Sequence, residues 1–296
     1  MIDSLAAHRA RIAAAFGSAT AYDDAATVQQ EIARALASRI LAEPRPVNPR
    51  ILELGCGTGF LTRALMGELS PARWTVSDIA PEMLDRTKTV IGDGVEYRLI
   101  DGEAVDPALG RFDLIVSNLA FQWFADLPGA VARLIDRLAP GGTLAFSTMA
   151  AGSFAEWAEA LAAEEVTAGT PDYPDRAKLE AMVPPGIDAS IDIRSFPQEQ
   201  RDAFAFLRQL KVIGAATPAA GYRPLSPAAL RRAMTRFDAK QNRTTYEVAF
   251  CMLRMNRPPR PSARCESEKR GDAAAPSAPQ MPGGSALTGD PPAGFR

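Results

Sequence analysis

A glycine-rich segment preceded by an acid is the most chemically informative part of this 296-residue chain. It reads Glu53-Leu-Gly55-Cys-Gly57-Thr-Gly59 and follows a short apolar run. Glycines let a backbone approach a ligand closely and adopt dihedral angles that other residues resist. Dinucleotide-binding folds seat a pyrophosphate at a comparable turn. The carboxylate of Glu53 would repel pyrophosphate and attract an ammonium or sulfonium group, so the segment favours a cationic ligand.

Further acidic and amide side chains end the apolar runs that follow. Asp78 comes 19 residues after Gly59, where a carboxylate can accept hydrogen bonds from both hydroxyls of a ribose. Asp101-Gly102-Glu103 is placed to hydrogen-bond an adenine amino group, and Asn118 is expected beside a sulfur atom. A sulfonium, a ribose and an adenine together make S-adenosylmethionine, which we therefore predict as the cofactor.

The composition excludes several kinds of chemistry. His8 is the only histidine, so a Ser/His/Asp hydrolase or a His-ligated metal site would depend on one N-terminal residue. The three cysteines have no metal-ligand spacing, and we expect neither a disulfide scaffold nor a metal site. A net charge of −2, from 33 basic and 35 acidic residues, argues against a nucleic-acid binder. The beginning of the sequence is not a secretory signal and no run suits a membrane helix, so we expect a cytoplasmic protein.

Strands that alternate with helices must position these residues. This alternation predicts an α/β fold with a doubly wound parallel sheet, in which ligands bind at the carboxyl ends of the strands. The predicted strands are 50–54, 74–78, 95–100, 112–118 and 143–147, and the helices between them are 60–69, 81–90 and 127–138.

Other segments flank this core. Residues 4–42 have helical spacing, and two more helices, 203–213 and 227–237, lie between the last predicted strands, 191–194 and 245–250. Residues 257–296 are rich in proline and glycine, which predicts a disordered tail. We therefore expect one folded domain over 1–256, with an N-terminal lid at 4–42, a cofactor core at 50–150 and an insertion at about 195–240.

The chain resembles a known family on these motifs. Residues 50–147 resemble class I methyltransferases throughout, and the flanks resemble the malonyl-[acyl-carrier protein] O-methyltransferases of biotin synthesis. The segments that carry the second likeness are 12–23, 117–127, 146–154, 210–215 and 244–248. The resemblance implies a Rossmann-like class I methyltransferase sheet with an N-terminal helical lid and a helical insertion. It also implies that Met83 packs near the adenosine and Leu119 lies on the adenine side.

The reaction that the resemblance implies is methylation of the free carboxylate of malonyl-acyl-carrier protein. A carboxylate is already ionised at neutral pH, so no catalytic general base is required, in agreement with the single histidine. Catalysis then rests on proximity and the exclusion of water. Tyr22 on the lid can close over the methyl group, and Gln122 and Trp123 are candidate pocket residues. Lys211 or Arg223 is expected near the malonyl head.

The charge is unevenly distributed along the chain. Residues 201–260 contain 12 basic and three acidic residues, a balance of +9. Such a run of positive charge is typical either of a helix face exposed to solvent or of a docking site for an acidic carrier protein, and charge alone does not favour one over the other. The resemblance to the family favours the docking site. The predicted docking residues are Arg231, Arg232, Arg236 and Lys240.

Two other functions remain open at this point. One keeps the cofactor and replaces the substrate with a small carboxylic acid or a quinone precursor. The other is an S-adenosylmethionine-binding assembly factor that acts on a partner protein. The segments 118–123 and 211–215 favour the carrier-protein substrate over the assembly factor.

Overall fold

The computed structural model describes residues 2–17, 26–166, 169–212, 222, 225–240 and 242–256. Tyr22, Arg223 and the predicted disordered tail 257–296 lie outside the described residues.

Helices and strands alternate through the first half of the described chain, as the sequence predicts. The helices are α1 (Ile2–Gly17), α2 (Thr27–Ala42), α3 (Phe60–Met66), α4 (Pro81–Ile91), α5 (Leu127–Ile135), α6 (Ala155–Ala162), α7 (Arg176–Ala181), α8 (Ala203–Val212) and α9 (Pro227–Asp238). The strands are β1 (Arg50–Leu54), β2 (Arg73–Asp78), β3 (Glu96–Leu99), β4 (Phe112–Asn118), β5 (Leu138–Met149), β6 (Ile187–Glu199) and β7 (Arg243–Met255).

The seven strands form one sheet in the order β3-β2-β1-β4-β5-β7-β6. The first five strands are parallel, whereas β7 runs antiparallel to β5 and β6. The chain moves outward from β1 to β3 and then returns to place β4 on the other side of β1. A ligand crevice forms at such a reversal, outside the carboxyl ends of the strands. The predicted α/β Rossmann-like fold is confirmed.

Helices cover both faces of the sheet, which explains the apolar sequences of its central strands. On one face, Ile32 and Leu36 of α2 pack in the same buried cluster as Ile51. On the other face, Val131 of α5 packs with Leu52. The buried strands β1 and β4 therefore hold their carboxyl ends, and the residues that follow them, in fixed positions.

The last two strands are longer than predicted. They pair from Ile187 opposite Met255 to Glu199 opposite Arg243, whereas the sequence pattern indicated only 191–194 and 245–250. Strand β6 lies at the edge of the sheet, and most of its residues are exposed or half-exposed. Its sequence therefore lacks a regular alternation of apolar and polar residues that would have predicted its full length. The short helix α7 also lies in a stretch with an irregular sequence pattern, where Asp175 caps its first turn.

Helices α8 and α9 pack on α6 through aromatic rings. Trp157 contacts the rings of Phe206 and Phe237 edge-on, with centroids 6.0 and 5.9 Å away. No helix in the described part of the chain is long and apolar enough to cross a membrane.

Candidate active site

The turn between β1 and α3 needs glycine for two different reasons. Gly55 has a φ of +69°, and a Cβ on it would lie 2.6 Å from the Cβ of Ala120. Gly57 has a φ of +55° and faces open space, since a Cβ on it would have no neighbouring atom within 4 Å. A side chain at either position would strain the backbone, and one at Gly55 would also clash. The turn therefore brings bare backbone to the edge of the sheet.

Asp78 ends β2 and fixes this turn from the side. Its Oδ2 accepts a hydrogen bond from the Gly57 amide and its Oδ1 accepts one from the Ala80 amide, both at 2.9 Å. Burial raises the pKa of Asp78 to about 6, and the two backbone donors partly oppose this rise. Each carboxylate oxygen keeps a second lone pair. Asp78 can therefore accept two further hydrogen bonds from a ligand.

Glu53 occupies a different environment from the one predicted. Its Oε2 accepts a hydrogen bond of 2.6 Å from the Thr62 hydroxyl of α3, and only 1% of the residue is exposed. Burial raises the pKa of Glu53 to about 8, so the carboxyl group is mostly protonated at neutral pH. It does not line the cavity beside the turn. The predicted attraction of Glu53 for a cationic ligand is therefore not supported, because the strand directs the side chain towards α3.

A cavity of about 90 Å³ lies at the carboxyl ends of β1, β2 and β4. Most of the cofactor residues predicted from the sequence line it: Gly55, Gly57, Asp78, Met83, Asp101, Gly102, Asn118 and Leu119. Gly59 does not, because it precedes the first turn of α3 with a φ of +82°. A Cβ on Gly102 would lie 2.7 Å from the ring of Phe124, so a larger residue there would displace that wall.

The N-terminal helix supplies residues to this cavity that are not among the predicted cofactor residues. Arg9, Ile12 and Phe16 of α1 line it. The Arg9 guanidinium lies 3.0 Å from Asp101 and 3.2 Å from Glu103, and its buried Nε has no partner within the described chain. Ile12 and Phe16 lie in the segment 12–23 that resembles the family, whereas Arg9 precedes it and has no spacing typical of a site.

Asp101 and Glu103 make other hydrogen bonds as well. Oδ1 of Asp101 accepts from the Glu103 amide, and Oε1 of Glu103 accepts from the Asp126 amide, both at 2.9 Å. The loop after β3 is thereby folded back on itself and joined to α1. An adenine amino group bound here, as predicted, would share the carboxylate oxygens of Asp101 and Glu103 with the amide and guanidinium donors that already bind them.

Asn118 and Leu119 lie where β4 ends. The Ser147 hydroxyl donates to Asn118 Oδ1 at 2.8 Å and accepts from the Leu119 amide at 3.0 Å. Leu119 has a φ of +52°, which is rare for a residue with a branched side chain. Ser147 therefore holds Leu119 in a strained conformation at the edge of the cavity.

A second, larger cavity of about 310 Å³ adjoins the first. Phe16, Leu119 and Trp123 line both cavities, so these three residues mark the boundary between them. The remaining wall is mostly apolar and aromatic and comes from the β4, β5 and β7 ends, α6, α8 and α9. It includes Met149, Phe154, Trp157, Leu161, Tyr173, Leu207, Leu210, Tyr222, Leu225, Leu230 and Tyr246.

Several buried polar atoms of this second cavity have no hydrogen-bond partner within the described chain. They are the Trp123 indole nitrogen, the Tyr246 hydroxyl and the Oε1 atoms of Gln29 and Gln122. The predicted pocket residues Gln122 and Trp123 thus come together here. Lys211 is exposed at the end of α8 and is not among the lining residues. No lysine or arginine of the described residues lines the cavity.

Three of the four predicted docking cations are engaged in ion pairs on the surface. Arg232 and Arg236 of α9 both bind Glu164, and Lys240 binds Glu159 at 2.6 Å. Hydrogen bonds from Arg236 and Arg232 lower the pKa of Glu164. Arg231 is exposed and forms no ion pair with the residues that the structure describes. Glu159 of α6 and Glu164, just after that helix, therefore neutralise much of the positive charge that the sequence places on α9.

Comparison with known proteins agrees with this site. Residues 51–142 match the family described as "Methyltransferase domain". The biotin biosynthesis bifunctional protein BioCD of Bordetella avium is 45% identical over 240 residues, covering 81% of this chain and about half (51%) of that longer protein. A malonyl-[acyl-carrier protein] O-methyltransferase of Magnetococcus marinus is 38% identical over 81% of this chain and 90% of its own length. The chain belongs to the malonyl-[acyl-carrier protein] O-methyltransferase family.

Solved structures show the same fold at low sequence identity. The YcgJ protein of Bacillus subtilis has a TM-score of 0.53 and 16% identity, covering 76% of this chain and 99% of its own. The plantazolicin methyltransferase BpumL, solved in complex with SAH, has a TM-score of 0.50 and 14% identity, covering 86% and 98%. As a member of its family, this chain is an S-adenosylmethionine-dependent methyltransferase.

The residues of the smaller cavity fit this cofactor. Asp78 has lone pairs left for the two ribose hydroxyls, and Gly57 leaves space beside them. The buried Nε of Arg9 offers a donor without a partner among the described residues. The cavity thus combines an acceptor for sugar hydroxyls, bare backbone and a donor that a ligand can use.

Proposed function

We propose that this chain transfers a methyl group from S-adenosylmethionine to the free carboxylate of malonyl-acyl-carrier protein and so forms its methyl ester, the entry step of biotin synthesis. The observation that carries the proposal is the pair of adjoining cavities, which share the wall formed by Phe16, Leu119 and Trp123. A cofactor in one cavity and an acyl chain in the other would meet at this wall. Family membership supplies the substrate class.

Eight residues that line the smaller cavity are proposed to hold the cofactor. They are Gly55, Gly57, Asp78, Met83, Asp101, Gly102, Asn118 and Leu119. When bound, S-adenosylmethionine supplies a methyl group on a positively charged sulfur. The chain's part is to orient the substrate and to exclude water, since a carboxylate is a nucleophile without prior proton removal.

The apolar wall of the larger cavity assists this reaction. Phe154, Trp157 and Leu161 are nearly completely buried and exclude water from the substrate. A carboxylate that leaves water loses the hydration that weakens it as a nucleophile. A mostly uncharged wall also favours a reaction in which a negative and a positive charge disappear.

The carrier protein is proposed to dock on α8 and the beginning of α9. Leu207 and Leu210 of α8 line the larger cavity, while Phe204, Arg208 and Lys211 recur on an exposed face of the same helix. Phe204 is 58% exposed. Arg208 and Lys211 form no ion pair within the described residues, so both remain available to an acidic partner. Arg231, next to the cavity residue Leu230, adds a third such cation.

The proposed function has a direct test. The purified chain is incubated with S-adenosylmethionine and malonyl-acyl-carrier protein, and the intact carrier is analysed by mass spectrometry. The expected result is the gain of one methylene unit on the malonyl group, and none with an acetyl-loaded carrier, which lacks the carboxylate. Methylation of a small free carboxylic acid in place of the carrier substrate would contradict the proposal. We also propose that the protein acts in the cytoplasm, together with its carrier-protein substrate.

A further inference from the structure

The larger cavity must recognise a carboxylate without a positively charged side chain among its described residues. This inference rests on the proposed function and concerns how that carboxylate is held. Of the two cations predicted near the malonyl head, Lys211 is exposed outside the cavity wall and Arg223 lies outside the described residues. Among the described residues of this cavity, uncharged hydrogen-bond donors are the groups that can bind an anion.

Tyr246 of β7 provides one such donor. The residue is 2% exposed, and its hydroxyl has no partner within the described chain. The ring of Phe154 packs against it edge-on, with centroids 4.7 Å apart, and fixes the direction of the hydroxyl. Tyr173 also lines the cavity and is close enough that ionisation of Tyr246 would raise its pKa. Burial raises the pKa of both phenols, so both keep their protons at neutral pH.

Trp123 provides a second donor at the boundary with the cofactor cavity. Its indole nitrogen is buried without a partner among the described residues, and an indole N–H can only donate. The ring of Phe16 contacts Trp123 edge-on at 5.6 Å. Because Trp123 lines both cavities, a group bound to its N–H lies beside the cofactor.

A buried donor without a partner is unfavourable in the folded protein, and a ligand that accepts its hydrogen bond removes that cost. We propose that the Trp123 indole N–H and the Tyr246 hydroxyl, with the Tyr173 hydroxyl beside it, bind the substrate carboxylate. Neutral donors orient the carboxylate without an ion pair, which would reduce its strength as a nucleophile. Gln29 and Gln122 present acceptor oxygens to the same cavity and suit N–H groups elsewhere on the substrate.

The arrangement also explains release of the product. A methyl ester is a weaker acceptor than a carboxylate, because hydrogen bonds to charged groups are about twice as strong as those between neutral groups. The donors therefore prefer the substrate to the product. If these residues only packed against the substrate, they would bind the acid and the ester equally well. A preference for the acid therefore distinguishes hydrogen bonding to the carboxylate from packing of the aromatic rings.

The test compares Tyr246→Phe and Trp123→Phe with the unaltered chain. Calorimetry measures the Kd of malonyl-pantetheine and of its methyl ester, each with S-adenosylhomocysteine present. We expect each substitution to weaken binding of the acid about tenfold or more, and binding of the ester less than about threefold. Tyr97→Phe is the matched control, because the Tyr97 hydroxyl donates to Gly92 outside the cavity. It should change neither Kd.

The possible results separate the inference from the proposed function. Equal weakening of acid and ester binding, or no weakening of either, would overturn the inference while methylation of malonyl-acyl-carrier protein still stood. If the unaltered chain fails to methylate that carrier, the proposed function fails whatever the variants do. Trp123→Phe keeps an aromatic ring and Tyr246→Phe loses only one oxygen, and thermal unfolding verifies that both variants fold.

Discussion

The guanidinium group of Arg9 lies 3.0 Å from the carboxylate of Asp101, so α1 is ion-paired to the loop that follows β3. The same guanidinium pairs with Glu103 at 3.2 Å. The cavity beneath has a volume of about 90 Å³. Because Arg9, Ile12 and Phe16 of α1 line this cavity, we expect α1 to move when S-adenosylmethionine enters.

Replacing Arg9 with Met should accelerate entry of the cofactor. Loss of the ion pairs with Asp101 and Glu103 lowers the free energy needed to move α1 by about 1 kcal/mol, since the partners are only partly exposed. We expect the association rate constant of S-adenosylhomocysteine to rise about fivefold in stopped-flow fluorescence. Arg11→Met, on an exposed position of the same helix, is the control. An unchanged association rate in Arg9→Met would show that these ion pairs do not limit entry.

Cofactor affinity should fall in mildly acidic solution because of Asp78. Its pKa is raised to about 6, and a protonated carboxyl group accepts hydrogen bonds from ribose hydroxyls less well. The Kd of S-adenosylhomocysteine should therefore be nearly constant above pH 7 and increase by up to about tenfold for each pH unit below 6. Calorimetry between pH 5 and 8 measures it. A Kd that does not vary over this range would exclude Asp78 as the titrating acceptor.

Glu53 should make the folded protein less stable as the pH rises. Its pKa is about 8 when folded and near 4.5 when unfolded, so the folded state binds more protons between these values. The resulting stabilisation is complete below pH 4.5 and is lost as the pH rises through 8. Between pH 6 and 8 we expect the free energy of unfolding to fall by about 2–3 kcal/mol, measured by urea denaturation.

Glu53→Gln tests this assignment, because its amide cannot titrate. The decrease between pH 6 and 8 should disappear in this variant, while the cofactor Kd and its dependence on Asp78 persist. A pH-dependent stability that the substitution does not alter would assign the titration to another group. A large increase in the cofactor Kd would instead support the contact predicted from the sequence.

The α/β fold was predictable because the central strands are buried on both faces. Their sequences, such as Ile51–Leu54, are largely apolar and end at glycines or acids. The edge strand β6 has no such signal, since Asp188 and Arg194 are exposed and Asp192 is partly exposed. The strand is long because it forms hydrogen bonds with β7 along its whole length, and the sequence of β6 alone does not predict this pairing.

The candidate site was predictable only where a residue follows a strand. Asp78 and Asn118 end strands, so their positions follow from the fold. Arg9 and Tyr246 reach the cavities through long-range packing of α1 and β7, and no local spacing marks them. Glu53 is the opposite case, a residue with a recognisable spacing and an unexpected position. Its spacing to the glycines is typical of a ligand contact, but the strand directs its side chain to Thr62.

Docking of the carrier should depend more on α8 than on the far end of α9. Arg208 and Lys211 are unpaired within the described chain, whereas Arg232 and Arg236 already bind Glu164. Substituting Gln for both Arg208 and Lys211 should raise the KM for malonyl-acyl-carrier protein about five- to tenfold and weaken its dependence on salt, because long-range attraction is lost. The same substitutions at Arg232 and Arg236 should raise this KM less than twofold. Neither pair should alter the KM for malonyl-pantetheine, which lacks the carrier. If the Arg232 and Arg236 variant shows the larger effect, the carrier binds along α9 and displaces Glu164 from its ion pairs.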